Sequence, residues 1–196
     1  RLKHVCSYKS FRFILKNSES PKKIGTKKRY AGLALQQNEE KLVFKGMESV
    51  RSDWTELSKI FQQALYKLIF NDKPVENYIL QMVEDIYAGK FDDKLIYRKR
   101  LRRKLNTYIK NVPHHVKAAR FADKINTDKA LPLKYQNKGW IEYLITLDGV
   151  QPKEYLSAPL DYDFYIDKQI KVVADDILPF IGKSFDLIVS KQIGLF

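Results

Sequence analysis

The feature that most constrains the fold is a change of hydrophobic periodicity near residue 47. Before it, apolar residues form short runs at 11–15, 30–35 and 42–45, separated by polar or turn-forming segments. Such runs are typical of β-strands. From residue 54 to 87 the apolar residues recur at helical spacing in two successive stretches. The sequence therefore predicts an α+β fold in which short antiparallel strands precede helices.

Local signals predict where these elements begin and end. Residues 36–40 are expected to form a hairpin loop. Asp53, followed by Glu56, resembles a capping box and predicts the start of the first helix. Pro74 suits the first position of the second helix, and Gly89 suits its end. Two adjacent amphipathic helices with a short link are expected to pack as an antiparallel pair.

The second half of the chain alternates between both types of signal. Residues 95–97 predict a short strand, and Pro113 predicts a helix that continues to residue 124. Alternating apolar residues at 139–147 predict a strand that a turn at Asp148 and Gly149 ends. A last helical segment is expected from Asp161, with Ile166, Ile170 and Val173 facing inward and an interruption near Pro179.

The charge of the chain predicts a polyanionic partner. Lys and Arg outnumber Asp and Glu by 36 to 23, for a net charge of +13. Residues 90–124 hold 12 Lys/Arg and 3 Asp/Glu, whereas residues 150–196 hold 5 and 7. So uneven a distribution favours nucleic acid first and an anionic membrane second.

Several protein classes are excluded. A single cysteine excludes a disulfide framework and fits a reducing compartment. No apolar run approaches the roughly 18 residues of a membrane span, and the first residues do not resemble a signal peptide. We expect a soluble intracellular protein. The chain starts without Met and close to a predicted strand, which suggests a fragment of a longer protein.

Two pairs of residues invite a catalytic interpretation. Asp161 and Asp163 are spaced as the metal ligands of nucleotidyl transferases can be, but they precede a helical pattern. We therefore interpret Asp161 as an N-cap and Asp163 as a first-turn acid. His114 and His115 are adjacent on a predicted helix and point apart, which suits phosphate contact better than metal chelation. No phosphate-binding glycine loop or nucleophilic triad is evident, so no catalytic residue is predicted.

Clusters of cations with interleaved aromatic residues predict a binding surface. Such cations neutralise phosphates and give affinity without sequence readout; the alternative is ordinary solvated surface. The three clusters are Lys27, Lys28, Arg29 with Tyr30; Arg98, Lys99, Arg100, Arg102, Arg103 and Lys104; and Pro113, His114, Lys117 and Arg120.

Six segments together resemble bacterial family B DNA polymerases of the DNA polymerase II type. They are KKRYAG (27–32), VFKGMESVRSDW (43–54), YRKRLRR (97–103), VPHHVKAAR (112–120), SAPLDY (157–162) and QIGLF (192–196). The resemblance runs almost the whole length of the chain.

This resemblance implies the C-terminal part of such an enzyme. Residues 1–46 would be the C-terminal edge of the palm, and residues 47–196 a mainly helical thumb with a small β element. The fragment would bind the sugar–phosphate backbone of primer–template duplex. Lys27, Lys28, Arg29 and Tyr30 would contact the duplex near the growing end of the primer. The other DNA-binding residues would be Arg98, Arg100, Arg102, Arg103, His114, Lys117 and Arg120.

The resemblance also implies what this chain does not carry. The family holds Mg²⁺ with aspartates in a D-S-L-Y-P-S-like segment and a D-T-D segment, and neither occurs here. The parent protein would be a DNA-directed DNA polymerase, whereas the fragment alone is predicted to be inactive and to hold no cofactor. Its partners would include the upstream palm, fingers and exonuclease regions of the same protein.

The C-terminal pentapeptide at 192–196 resembles the segment by which bacterial polymerases bind the β sliding clamp. In that case Leu195 and Phe196 would enter an apolar pocket, while Gln192 would form hydrogen bonds and Ile193 would occupy a position where Leu is commoner. The alternative is the end of a helix that packs on its own domain.

The leading hypothesis is thus a duplex-binding polymerase fragment with a clamp-binding tail, in a cytoplasmic, nucleoid-associated bacterial enzyme. The competing hypothesis is a stand-alone nucleic-acid-binding module with no enzyme parent.

Overall fold

The computed structural model describes residues 7–13, 29–36, 39–51, 54–136 and 138–193. Three antiparallel strands form the first sheet, in the order β1 (Ser7–Phe13), β2 (Tyr30–Gln36) and β3 (Glu39–Lys45). These confirm the three predicted strands, although β1 begins at Ser7, before the predicted run 11–15, and Ile14 and Leu15 lie outside the described residues. Gln36 pairs with Glu39, so both strands extend into the segment expected to be a loop.

The first helix begins later than predicted. Helix α1 is Glu56–Phe70, and its N-cap is Thr55, whose side chain accepts a hydrogen bond from the Ser58 amide at 3.3 Å. The prediction of Asp53 as the cap was therefore wrong, because the chain is still extended at Thr55. Asp53 itself lies outside the described residues.

The second helix, α2, is Glu76–Tyr87 and begins after Val75. Pro74 therefore precedes the helix and does not occupy its first turn, contrary to prediction. The end was predicted correctly. Ala88 is the C-cap, and Gly89 follows with a φ of 71°, the left-handed conformation that glycine adopts without strain.

Helix α1 lies closest to the 3-10 turn Glu48–Val50 that precedes it, and both α1 and α2 have further backbone neighbours later in the chain. Helix α1 packs on α5 (Val172–Asp175), and α2 packs on α6 (Phe185–Ile193). Between α1 and α2, the rings of Phe61 and Tyr78 stack with centroids 5.7 Å apart. The predicted antiparallel pair is thus one contact within a larger assembly of helices.

The second sheet has the order β4 (Tyr97–Leu101), β5 (Gly139–Thr146) and β6 (Gly149–Pro152), all antiparallel. The turn at residues 147–148 confirms the prediction for β5. The prediction for residues 95–97 was displaced, because β4 starts at Tyr97 and runs through the basic segment. Helix α3 (His114–Asp128), capped by Pro113 as expected, packs on all three strands.

The last long helix contains a wide turn. It starts as α4 (Tyr162–Tyr165), continues as a π-helix over Ile166–Lys171 and ends as α5. As predicted, Ile166, Ile170 and Val173 are buried, and a 3-10 turn that contains Pro179 follows. Within the π-helix, the buried Gln169 Oε1 accepts a hydrogen bond from Thr55 Oγ1 at 2.9 Å. This bond ties the last long helix to the start of α1.

Three stacked tyrosine rings connect the second sheet to α4. The Tyr97 ring lies 5.2 Å from Tyr143 and 5.8 Å from Tyr165, both nearly parallel. The Tyr165 hydroxyl accepts a hydrogen bond from the Ile145 amide at 2.9 Å. Burial raises the pKa of both Tyr97 and Tyr165, so these rings remain neutral. The stack fixes the face of β4 opposite to Arg98 and Arg100.

One hydrophobic core includes Ala31 and Leu33 of the first sheet, the helices, and the inner face of the second sheet. Among the described residues, no helix has the length and apolar character needed to cross a membrane.

Asp161 is the N-cap of α4, as predicted. Its Oδ1 accepts a hydrogen bond from the Phe164 amide at 2.9 Å. Replacing Asp161 with Ala should lower the free energy of unfolding by roughly 0.5–2 kcal/mol, because that amide loses its acceptor. Asp161→Ser should retain most of the stability, since serine also caps. Chemical denaturation measures both; equal losses in the two variants would contradict the capping role.

Candidate nucleic-acid interface

A cleft of about 520 Å³ lies beside the basic strand β4. Its walls combine cations with three rings, and the lining residues are Arg98, Lys99, Arg100, Arg102, Arg103, Tyr108, His115 and Trp140. Five of these eight residues are cations, so the cleft is strongly positive. The structure thus brings together the second predicted cluster, from which only Lys104 is missing in this lining.

Strand alternation explains how so many cations remain at the surface. Leu101 is fully buried, and Tyr97 stacks in the core, so the intervening Arg98 and Arg100 point to the opposite face. In the antiparallel register Arg100 pairs with Trp140. The pairing places an exposed aromatic ring directly across from a cation.

Aromatic contacts orient two of the guanidinium groups. The Arg98 Cζ lies 4.8 Å from the ring centroid of Trp140, and the Arg103 Cζ lies 4.5 Å from that of Tyr108. Tyr108 in turn meets His115 edge to face, at 6.3 Å between centroids. Cation–π contacts at such distances hold a guanidinium in place without neutralising it.

The five cations of the cleft lack acidic partners. Within the part of the chain that the structure describes, no carboxylate oxygen lies within 4.0 Å of their nitrogens. Some lysines elsewhere are paired: Lys94 with Glu56 and Asp93, Lys134 with Glu154, Lys153 with Glu142, Lys171 with Asp186, and Lys183 with Glu76. The cleft differs from these positions because it brings five cations together without such partners.

The two predicted histidines differ in position. His115 is 8% exposed and lines the cleft, whereas His114 is exposed and packs near Phe164. Burial, followed by the nearby Lys117 and Lys99, lowers the pKa of His114. Burial, Lys99 and His114 lower the pKa of His115. Both rings are therefore mainly neutral at pH 7 and contribute hydrogen-bonding groups, not charge.

Arg120 has contacts within the protein that the sequence did not indicate. Its Nη2 donates hydrogen bonds to the carbonyl oxygens of Leu105, at 3.0 Å, and Tyr108, at 2.7 Å. Arg120 thereby ties α3 to the loop that carries Tyr108. It is not among the residues that line the cleft, and neither is Lys117, which is exposed on α3.

Arg29 likewise has acidic partners within the protein. Its Nη2 contacts the carboxylates of Glu48, at 3.2 Å, and of Asp176 on α5. The side chain is only 17% exposed. This geometry gives Arg29 a structural role, in contrast to the DNA contact predicted for it. Lys27 and Lys28 lie outside the described residues.

Tyr30 lies at the start of β2, and the Lys45 Nζ lies 5.9 Å from the centroid of its ring. The predicted cluster at residues 27–30 is therefore described only at Arg29 and Tyr30. Of these two, Arg29 faces the protein interior and Tyr30 is half-buried.

The pKa of Asp176, which shares the cation of Arg29 with Glu48, is raised above its ordinary value. Its pKa is raised to about 7, mainly by burial. The neighbouring Glu48 and Asp175 also raise it, and together these effects outweigh the Arg29 guanidinium, which lowers it. Arg29 can neutralise only one of its two acidic partners. Near neutral pH the cluster therefore takes up a proton, mainly at Asp176.

Asp161 and Asp163, which the sequence analysis interprets as an N-cap and a first-turn acid, both have contacts within the protein. Asp161 caps α4, and Asp163 Oδ1 accepts a hydrogen bond from the Tyr87 hydroxyl. Among the described residues, no group of three or more His, Cys, Asp or Glu is arranged to hold a metal ion. The described residues therefore do not fit the Mg²⁺ of a polymerase, and no catalytic step is assigned to them.

Sequence reasoning missed the aromatic part of the cleft. Trp140, Tyr108 and His115 lie 5 to 42 positions from the arginines that they contact or accompany. Only the pairing of β4 with β5 brings Trp140 to Arg98 and Arg100. The sequence signal for this was weak: an alternating strand with one large apolar residue on its polar face.

Comparison with known proteins identifies the family. Residues 24–180 match the family described as DNA polymerase family B. This match covers well over half of the chain. The chain belongs to DNA polymerase family B.

Two individual relatives also support the family assignment. The chain is 48% identical over 172 residues to DNA polymerase II of Escherichia coli, a match that covers 88% of this chain and 22% of that protein. It is 29% identical over 167 residues to DNA polymerase 2 of Aeropyrum pernix, covering 80% and 20%. The chain thus spans about a fifth of the length of these relatives.

A solved structure shares the fold. The family B DNA polymerase from the archaeon Pyrobaculum calidifontis aligns with a TM-score of 0.60 and 28% identity, covering 81% of this chain and 21% of that one. These comparisons confirm the expected α+β fold and the resemblance to a family B polymerase.

Replacing Asp176 with Asn tests the ionic cluster. Its ordinary pKa is 3.8 and its folded value about 7, so between these values the folded chain holds a proton that the unfolded chain has released. The contribution of Asp176 to the free energy of unfolding is fully present below about pH 4 and is lost as the pH rises to about 7. The parent should lose up to about 1.4 kcal/mol per pH unit relative to Asp176→Asn over this interval.

Urea denaturation at a series of pH values measures this difference, with the exposed turn variant Asp148→Asn as the control. Parallel pH profiles for the parent and Asp176→Asn would contradict the raised pKa of Asp176.

Proposed function

We propose that this chain is the duplex-binding thumb portion of a family B DNA polymerase, with residues 1–46 at the palm edge and residues 47–196 in the thumb. The observation that carries the proposal is the cleft whose five cations have no acidic partner among the described residues. Family membership favours this interpretation over a nucleic-acid-binding module of another origin.

The chemistry of the cleft favours phosphate as its ligand. Guanidinium groups donate several hydrogen bonds in a planar array that matches phosphate oxygens. Four of the five cations are arginines, and two are oriented by aromatic rings. Contacts of this kind position a duplex and carry little sequence information. We therefore propose binding to the sugar–phosphate backbone of primer–template DNA.

The whole protein would be a DNA-directed DNA polymerase that uses Mg²⁺, and its catalytic aspartates would lie in parts of the enzyme outside this chain. Alone, the chain would bind duplex without incorporating nucleotides. Lys27, Lys28 and Tyr30 remain proposed contacts near the primer end, and His114 and Lys117 remain proposed contacts beside the cleft. The proposed cellular location is the nucleoid of a bacterial cytoplasm.

Removing the cleft arginines tests the duplex proposal. The triple variant Arg100→Ala/Arg102→Ala/Arg103→Ala should bind blunt duplex more weakly, and its slope of log affinity against log salt should fall by about 0.9 for each lost phosphate contact. Fluorescence anisotropy at several salt concentrations measures both quantities.

A matched control removes the same charge elsewhere. Lys94→Ala/Lys171→Ala/Lys183→Ala also removes three positive charges, but from lysines that already pair with carboxylates. This control should change the slope little. Equal slopes for the two triple variants would show that net charge, and not the cleft, determines binding.

We also propose that the C-terminal pentapeptide binds the sliding clamp. The structure places Gln192 and Ile193 in the last turn of α6, while Leu195 and Phe196 lie outside the described residues. The support for this proposal is the resemblance of the segment to known clamp-binding tails.

Deleting Leu195 and Phe196 should weaken clamp binding at least about tenfold, because each buried side chain contributes roughly 1.5–3 kcal/mol, and should leave duplex affinity unchanged. Surface plasmon resonance on an immobilised bacterial clamp measures the first effect. Leu187→Ala, which removes an exposed side chain from the same helix, is the control. Loss of duplex binding in the truncated chain would indicate a folding role for the tail instead.

A further inference from the structure

Trp140 occupies an unusual position on the outer face of the second sheet. It is 51% exposed, although it is among the largest apolar side chains. It lines the cationic cleft and also a second cleft of about 420 Å³. Arg98 lines both clefts as well. An exposed indole between two clefts has far more accessible ring surface than is needed to hold one arginine.

The pairing of charges around Trp140 is selective. Glu142 is the cross-strand neighbour of Arg98, but its carboxylate pairs with Lys153 at 3.0 Å. Arg98 instead lies over the indole ring, 4.8 Å from its centroid. The guanidinium therefore keeps its positive charge while it covers part of one face of the ring.

The two clefts differ in charge. The first is lined by unpaired cations, as described above. In the second, Lys134 pairs with Glu154 and Lys153 pairs with Glu142. That cleft is nearly neutral and contains hydrogen-bond donors and acceptors together with the ring of Tyr135. The first cleft thus suits phosphates, and the second suits a polar, uncharged aromatic group.

From this arrangement we propose that Trp140 and Arg98 form a stacking site for an unpaired base of single-stranded DNA, whose phosphates contact Arg100 and its neighbours. A nucleotide combines the two required parts, a flat base and an anionic backbone. Inside a duplex the base faces are covered by stacking, so an unpaired strand can stack on the indole ring where the interior of a duplex cannot. The inference rests on the proposed function, because the same cleft binds the backbone.

The chain offers a direct spectroscopic test, since it contains two tryptophans. In a Trp54→Phe background, Trp140 is the sole source of indole fluorescence. A single-stranded thymidine oligonucleotide should quench this emission on binding. An abasic sugar–phosphate oligomer of the same length, which supplies equal charge and no bases, should bind without quenching, and so should a blunt duplex.

Affinity measurements on two variants complete the test. Trp140→Ala should weaken binding of the thymidine oligonucleotide about 5- to 150-fold, the range for loss of one base–aromatic stack. Trp140→Phe should retain most of the affinity. Blunt-duplex affinity should fall by a smaller factor than single-strand affinity in Trp140→Ala, because Arg98 loses the ring that orients it while the backbone contacts of the other cleft cations remain.

Equal quenching by the abasic oligomer, or equal loss of duplex and single-strand affinity in Trp140→Ala, would overturn the stacking site and leave duplex binding intact as a proposal. Failure of the parent chain to bind blunt duplex at all would overturn the proposed function itself.

Discussion

The placement of Arg29 between Glu48 and Asp176 is the interaction on which the arrangement of the two halves depends. It joins the start of β2, the 3-10 turn before α1, and the end of α5 within a largely buried environment. Burial of charge is costly unless it is compensated, so each member holds the other two in place. Gln62 adds a further hydrogen bond to Glu48, at 2.9 Å, from within α1. Sequence elements separated by more than a hundred residues are thereby fixed relative to one another.

The same residue types have opposite roles at the two ends of the molecule. At the junction with the first sheet, an arginine is buried between carboxylates. At the second sheet, arginines are exposed, supported by rings and unpaired within the described residues. The difference arises from backbone geometry. Alternation along β4 directs Tyr97 and Leu101 into the core and the arginines between them outward. A basic residue count alone does not separate these two situations.

Much of the fold could be predicted from the sequence because its local signals were strong. The three first strands, Gly89, Pro113, the turn after β5 and the Asp161 cap all depend on short-range patterns. The errors at Asp53 and Pro74 arose because the sequence does not distinguish helix starts that lie one or two positions apart. At α1, contacts such as that between Thr55 and Gln169 determine where the helix begins. The prediction that Arg29 contacts DNA did not foresee its ion pair with Asp176, which is distant in the sequence.

The candidate site was predictable only in part. Its cations stand close together in sequence, whereas its aromatic members come from three separate elements. The neighbours of Trp140 depend on strand register, which a single sequence specifies poorly when the polar face of a strand carries no distinct pattern.

Strand β4 lies at the edge of its described sheet, next to β5 on one side only. An exposed edge presents unpaired amide and carbonyl groups that can recruit a strand from another molecule. A run of arginine and lysine along that edge opposes such pairing by electrostatic repulsion between like strands. The cations along β4 therefore also disfavour pairing of this edge with a second copy of the chain, whether or not a ligand occupies the cleft.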